Sequence, residues 1–356
     1  MQHKAHYRFR FVTFMLVGFI LVGLGLVGCT PKFTTPTLVA ARGGDVSELN
    51  PIAVVNFSGN GGNELRNDVE AMLVRTKVQG QPYFTVVDRQ TLDKVLEEIG
   101  LGMSGIIDEK TAVRVGKHVG AKGMVIGAVG NNNVFDTDYT QERFKCLDVK
   151  CKDVRYDTVR CIKRDAHFSF TPKIIDVATG RIVISDSLAG TKSARSCQGD
   201  RPITDKTALL SDAKQEAMEK FRRLVAPFTV NVSLVVLTKD DTERPKRATE
   251  MLKNGAKWAK SGRLDRACKL WRESYQSHPY GYAVHYDLGL CEEYYTRDLQ
   301  AALKYYQQAD ELTPQPVKAI STALNRVRHS ALNEAKLDAQ LDRDKPAHAP
   351  HKRASH

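Results

Sequence analysis

Hydrophobic and polar positions divide this chain into three stretches. From Phe11 to about Val27 the residues are apolar without periodicity, interrupted by Thr13 and several glycines. Between 49 and 237, short apolar runs alternate with segments of helical periodicity. Pro51-Ile52-Ala53-Val54-Val55-Asn56-Phe57 reads as a strand buried on both faces, since its neighbouring positions are apolar together. A turn at Gly59, Gly61 and Gly62 leads into a helix over 64–77, with Val69, Met72, Leu73 and Val78 on its apolar stripe. Residues 84–87 read as the next strand, and Asp88 stands where a helix N-cap belongs. The helix after it carries Leu92, Val95, Leu96 and Ile99 at 3.6-residue spacing. Asp108 opens a further helix through His118, and 123–129 is a buried strand. Dense charge at 130–165 breaks the pattern. Strands return at 167–176 and 181–187 around an Ala178-Thr179-Gly180 hairpin turn, followed by a helix over 206–225 and a strand over 229–237. Strands alternating with helices around an added hairpin predict an α/β layered domain over 49–237.

The third stretch, 248–335, is helical throughout and repeats itself in a 34-residue frame. One copy places Gly255, Trp258, Gly262, Ala267, Trp271 and Pro279; the next places Leu288, Gly289, Ala301, Tyr305 and, one residue late, Pro314. Small residues let paired helices approach, aromatics fill the gap, and proline ends each unit. That pattern resembles tetratricopeptide repeats. A last helix over 317–335 would cap the stack. The charged segment 238–247 reads as a linker, 29–48 as a Thr/Pro/Gly-rich tether, and 336–356 as a disordered basic tail.

The first 28 residues have the layout of an export signal: Lys4, Arg8 and Arg10 precede the apolar run, which ends in Leu26-Val27-Gly28-Cys29. This ending resembles the lipobox of bacterial lipoproteins, which implies a diacylglycerol thioether on Cys29 and loss of residues 1–28. The apolar run barely reaches the lower limit for a spanning helix, so an uncleaved signal anchor is the rival reading. Thr30, rather than Asp, after the cysteine favours the outer membrane under the familiar sorting rule. Losing the three N-terminal cations takes the formal net charge from +12 to about +9. Outside the cytoplasm such a basic chain suits anionic lipid head groups, other anionic envelope polymers or an acidic envelope protein, and excludes nucleic acid as a sensible partner.

Six more cysteines follow: Cys146, Cys151, Cys161, Cys197, Cys268 and Cys291. The first three crowd into a polar stretch with no core to fill. In an oxidising compartment an even set predicts disulfides. A zinc site is the rival, but the nearest spacing is Cys146-x4-Cys151 and His167 is the only nearby imidazole. Cys268 and Cys291 sit on consecutive repeat helices and are disulfide candidates too.

Three segments resemble the CsgG family of envelope lipoproteins: the strand at 52–57, Val86-Val87-Asp88-Arg89-Gln90-Thr91-Leu92 running into a Leu-rich helix, and Ile175-Asp176-Val177-Ala178-Thr179-Gly180-Arg181-Ile182. The resemblance spans about 50–235 and implies an α/β fold and a role beside an envelope machine. Channel members of the family insert two hairpins into the membrane. Here the first corresponding segment, 131–165, holds 15 charged residues in 35, and the second, 187–205, contains Arg195 and Arg201. The resemblance therefore points to the branch without a channel, which includes activators of peptidoglycan synthesis and accessories of polysaccharide secretion. Edge-to-edge homo-oligomers of the α/β domain remain compatible with it.

No catalytic constellation is visible. Gly59-x-Gly61-Gly62 lacks the Lys-Ser/Thr of a P-loop, and His118 and His167 have no acid or nucleophile at triad spacing. The tail histidines His348, His351 and His356 could ligate a metal but read as solvated tail. No enzyme activity, metal or cofactor is expected. Charge on the repeats is the most informative polar feature. Residues 239–272 hold eleven Lys/Arg against five Asp/Glu. Lys253, Lys257 and Lys260 share one helix face, and Arg266 and Lys269 recur on the next helix. They are candidate partner-binding residues, against the plainer reading of a solvated face. The expected whole is a lipid-anchored scaffold on the periplasmic face of the outer membrane. A subunit of a CsgG-type secretion channel and an activator of peptidoglycan synthesis are the alternatives.

Overall fold

The computed structural model describes residues 31–100 and 107–341; Cys29, the segment before it and His348, His351 and His356 lie outside the described residues. The chain forms two compact units. Among the described residues, an α/β unit holds those within 37–230 together with 332–341, and a helical unit holds 231–331 together with 31–36.

In the α/β unit, β2 (Ile52–Val54) runs parallel to β5 (Gly123–Cys146), and β5 pairs antiparallel with β6 (Val154–Asp176). β6 in turn receives β7 (Ile182–Ser185) and β8 (Leu188–Cys197). Side-chain alternation splits the core in two. Ile52, Val54, Val125 and Ile174 face a cluster with α1 (Gly62–Arg75) and α4 (Lys206–Val225). Ala53, Val55, Met124, Ile126 and Ile175 face another with α2 (Arg89–Glu98) and α3 (Glu109–His118). A sheet buried on both faces explains why 52–57 is apolar without alternation. Asp88, Asp108 and Asp205 cap α2, α3 and α4, each carboxylate accepting from backbone N–H groups of the first turn. A small hairpin of β3 (Lys77–Val78) and β4 (Gln81–Pro82) comes after α1.

Several expectations need correction. Residues 84–87 form only a bridge, in which Ile52 N–H donates to the Thr85 carbonyl at 2.8 Å and Val87 N–H to the Ile52 carbonyl at 2.9 Å. The chain must turn at once into the Asp88 cap, leaving no length for a ladder. The expected tether contains β1 (Lys32–Val39), paired with β9 (Phe228–Val235), because its threonines suit a strand and Phe33 has a core to enter. Val46 and Leu49 are buried as well. The strand pattern does not break at 130–165: β5 and β6 continue through it as one long hairpin, its tip closed by a Cys146–Cys151 disulfide.

The helical unit stacks α5 (Lys246–Lys260), α6 (Leu264–Ser277), α7 (Tyr282–Cys291), α8 (Leu299–Glu311) and the start of α9 (Lys318–Leu341). A Cβ on Gly255 would collide with the Trp271 ring, and one on Gly289 with the Tyr306 ring. Each glycine thus lets a helix press against an aromatic of the next one. A Cys268–Cys291 disulfide joins α6 to α7. The last helix runs to Leu341, past the expected end at 335. Within the α/β unit the Gln340 side chain accepts from Ala41 N–H at 2.8 Å, and Asn333 accepts from Ala40 N–H at 2.9 Å. These amides hold the helix end in place where a tail was expected.

Nor is 238–247 a free linker. Asp240 and Arg244 form a buried ion pair, and Asp240 also accepts from Ala283 N–H at 3.1 Å. Leu237 N–H donates to Asp287 Oδ1 at 3.1 Å. Asp240 is thus held against α7, while Lys239, Asp241, Glu243, Lys246 and Arg247 stay exposed. Asp287 itself is fully buried, and its Oδ2 has no hydrogen-bond partner among the described residues. Burial pushes its carboxyl well above the usual range; Leu237 N–H and Arg244 oppose the shift, and Asp240 adds to it. A group raised in the folded state contributes stability below its unfolded value, about 3.9, and loses it as pH rises through the folded value. Asp287→Asn keeps the acceptor for Leu237 and has no charge to bury. The unfolding midpoint of the wild type should therefore fall relative to D287N as pH rises above about 4. A midpoint difference that stays constant with pH would contradict this account.

Candidate partner-binding surfaces

The packing of α5 decides which of its residues reach solvent. Ala248, Leu252, Gly255, Ala256 and Ala259 are buried, and Trp271 Nε1 donates to the Leu252 carbonyl at 3.2 Å. Lys253, Lys257 and Lys260 lie on the opposite, exposed face. Lys257 Nζ donates to Asn254 Oδ1 at 3.1 Å. On α6, Ala267, Cys268 and Trp271 turn inward while Arg266 and Lys269 stay exposed. The Arg266 guanidinium sits 4.7 Å from the Trp258 ring centroid, a cation–π contact that orders it without neutralising it. None of these five cations forms an ion pair with another described residue. By contrast Arg263 is held by Asp265, whose carboxyl that contact pulls down to about 2.

The β5–β6 hairpin is the second exposed feature. Arg164 grips Asp136 through two contacts of 2.7 and 2.9 Å, and Lys206 adds a third at 3.3 Å. Arg143 holds Asp200 through contacts of 2.7 and 2.6 Å. Both carboxyls are pulled down to about 2, chiefly by hydrogen bonds from those arginines. Cys161 and Cys197, opposite each other in the β6–β8 register, are joined as a disulfide. Alternation puts Asp136, Asp138, Glu142, Arg160 and Arg164 on one face of the hairpin. Arg143, Lys145, Arg155, Asp157 and Lys163 occupy the other. Phe144, Leu147, Val149 and Tyr156 are exposed near the tip. His167 stacks on Phe135 with centroids 5.1 Å apart, His118 ends α3 in solvent, and Gly59 to Gly62 form the bend into α1. The structure brings none of these together as a reacting group.

Residues 45–201 match the family model of the curli production assembly/transport component CsgG. The match covers less than half of the 356-residue chain; it includes the β5–β6 hairpin and ends before α4. Among solved structures, the chain is similar to the LpoB C-terminal domain from Salmonella enterica at 17% identity and a TM-score of 0.26, covering 41% of this chain and 86% of that one. For the LpoB C-terminal domain from Escherichia coli the values are 17% and 0.24, with 48% and 92% covered. For the PelC dodecamer from Paraburkholderia phytofirmans they are 15% and 0.22, with 54% and 99% covered. No curated protein matches the chain. No helix among the described residues is long and apolar enough to cross a membrane.

Sequence reasoning missed a further set of cations, Arg75, Lys77, Arg222 and Arg223. They come together only because α1 and α4 pack side by side, and no spacing along the chain announces it. For the disulfides, digestion of alkylated, unreduced protein should return Cys161 linked to Cys197 and Cys268 linked to Cys291. Recovering those four thiols in alkylated form would refute the pairing.

Proposed function

We propose that this chain is a non-enzymatic accessory protein of the bacterial cell envelope. In this reading it is lipid-anchored at Cys29 on the periplasmic face of the outer membrane. The α/β unit builds it into an export or wall-building assembly, and the helical unit, a tetratricopeptide-like module, recruits a partner. The CsgG-family match over 45–201 is the observation that carries the reading. The five unpaired cations on α5 and α6 support an acidic partner for the module, since a face laced with internal ion pairs would have little charge to offer.

A secretion-channel subunit is the second reading, favoured by the same family match and by the length of the β5–β6 hairpin. The distribution of charge weighs against it. A lipid-facing Arg or Lys costs about 2–4 kcal/mol near the bilayer midplane. This hairpin presents charges on both faces, so whichever face met lipid would bury several per subunit.

Two measurements test the proposal. Cys29→Ser should leave an unprocessed precursor without acyl chains, and lipidated wild type in planar bilayers should give no stable conductance steps. Fatty-acid labelling of the Ser variant, or discrete single-channel steps, would sink it. For the helical face, the triple variant K253E/K257E/K260E should recover less cross-linked partner from intact cells and keep its melting temperature. Unchanged recovery would mean that the face is merely solvated.

A further inference from the structure

Helices α1 and α4 lie side by side in the α/β unit but leave an open groove of about 910 Å³ between them. Two thioethers, Met72 from α1 and Met218 from α4, form its floor. Cations form its rim. Arg75 and Lys77 stand on the α1 side, and Lys214, Arg222 and Arg223 on the α4 side, against the carboxylates of Asp68 and Glu219 alone.

Both carboxylates are already taken. Lys214 lies 2.7 Å from Asp68. Arg222 and Arg223 share Glu219 at 2.7 and 2.8 Å, which draws its carboxyl down to about 2. Arg75 and Lys77 are exposed and pair with no carboxylate among the described residues; Arg75 Nε spends its bond on the Ala71 carbonyl at 3.1 Å. Beyond the groove, the Arg42, Arg222 and Arg223 guanidiniums converge on the buried Phe228 ring, 5.2 to 6.0 Å from its centroid. An aromatic face orders cations without cancelling their charge. The groove is thus a largely polar trough with two thioethers at its floor and a surplus of positive charge on its rim.

We infer that this groove docks a short acidic segment of a partner protein, with one or two apolar side chains seated on Met72 and Met218. Thioethers adapt to side chains of varied shape, so the floor selects for an apolar residue without demanding one kind. Rim cations supply the attraction and the orientation. A bilayer is flat and cannot reach the floor of a trough between two helices. A fully hydrophilic polyanion would leave the methionines uncovered. The chain's own residues beyond 341 are excluded by sign, with Arg343, Lys345, Lys352 and Arg353 against Asp342 and Asp344. The inference goes beyond the proposed function: it concerns the α/β unit and depends neither on the lipid anchor nor on the helical face.

The test uses the full mature chain and a fluorescent peptide alternating Glu with Leu, monitored by anisotropy. Saturable binding is expected, weakening as salt shortens the Debye length below about 10 Å. The double variant R75E/K77E changes two exposed side chains, so its melting temperature should hold while affinity drops at least tenfold. K253E/K257E/K260E should leave this binding unchanged, which separates failure here from failure at the helical face. An all-Glu peptide should bind at least tenfold more weakly, and Met218→Gln should erase that preference. The inference is overturned if no saturable binding appears up to about 1 mM peptide. It is likewise overturned if R75E/K77E binds as the wild type does, if the all-Glu peptide matches the mixed one, or if anionic vesicles displace the peptide completely.

Discussion

The antiparallel ladder between β5 and β6 is the contact from which the α/β unit is assembled. At its root, 123–129 against 170–176, Met124, Val125, Ile126, Phe170, Ile174 and Ile175 serve a core on one face or the other, and β2 joins β5 there. The register then shifts between Val129 and Asn132, where Asn131 N–H donates to Ser169 Oγ at 2.8 Å. A bulge of this kind bends and twists the strands and re-aims the residues beyond it. Past it the ladder leaves the two-sided core. Main-chain hydrogen bonds are satisfied between the strands themselves, so side chains there need no apolar face. That freedom is what lets the hairpin carry so much charge.

A free two-stranded ribbon is marginal in water. This one is reinforced in proportion to its distance from the core. Near the root, β8 adds a third strand and Gly190 lets α4 approach closely. Farther out Arg164 and Lys206 gather Asp136, tying the ribbon to the first turn of α4. Farther still come the Cys161–Cys197 disulfide and the Arg143–Asp200 pair, and at the tip Cys146–Cys151. The Arg143–Asp200 pair and the tip disulfide stand where burial has run out, whereas Cys161 and Cys197 are themselves buried.

The same freedom explains what the sequence did and did not disclose. Strand 52–54 and helices α3 and α4 were legible because each answers to a single local rule: an apolar run, an Asp cap with 3.6-residue spacing, a long amphipathic stripe. The outer ribbon obeys no such rule. Its positions alternate between two solvated faces, so period two carries no hydrophobic signal, and only the ladder with β6 reveals it as a strand. The segment 238–247 was misread for a related reason. Charge in a row reads as solvated, whereas Asp240 and Asp287 are also bound through contacts about 40 or 50 residues distant in sequence. By contrast the step of 34 residues from Gly255 to Gly289 was visible, because each glycine stands where a helix must press on an aromatic.

The two basic surfaces show how charge becomes available for a partner. A chain of formal charge +12 cannot pair every cation, but which ones stay unpaired is set by the fold. On α5 the helical repeat lines up three lysines on the face opposite the buried alanines, so their grouping follows from sequence spacing alone. In the α/β unit the cations come from stretches of chain some 140 residues apart, and the two nearby carboxylates are consumed by Lys214, Arg222 and Arg223. What remains is the charge of Arg75 and Lys77, which pair with no carboxylate among the described residues, beside Arg222 and Arg223, which meet both Glu219 and the Phe228 ring. Ion pairs that saturate carboxylates therefore do more than stabilise locally. They fix where positive potential survives, and a groove with an apolar floor turns that potential into a surface able to tell an acidic peptide from a plain polyanion.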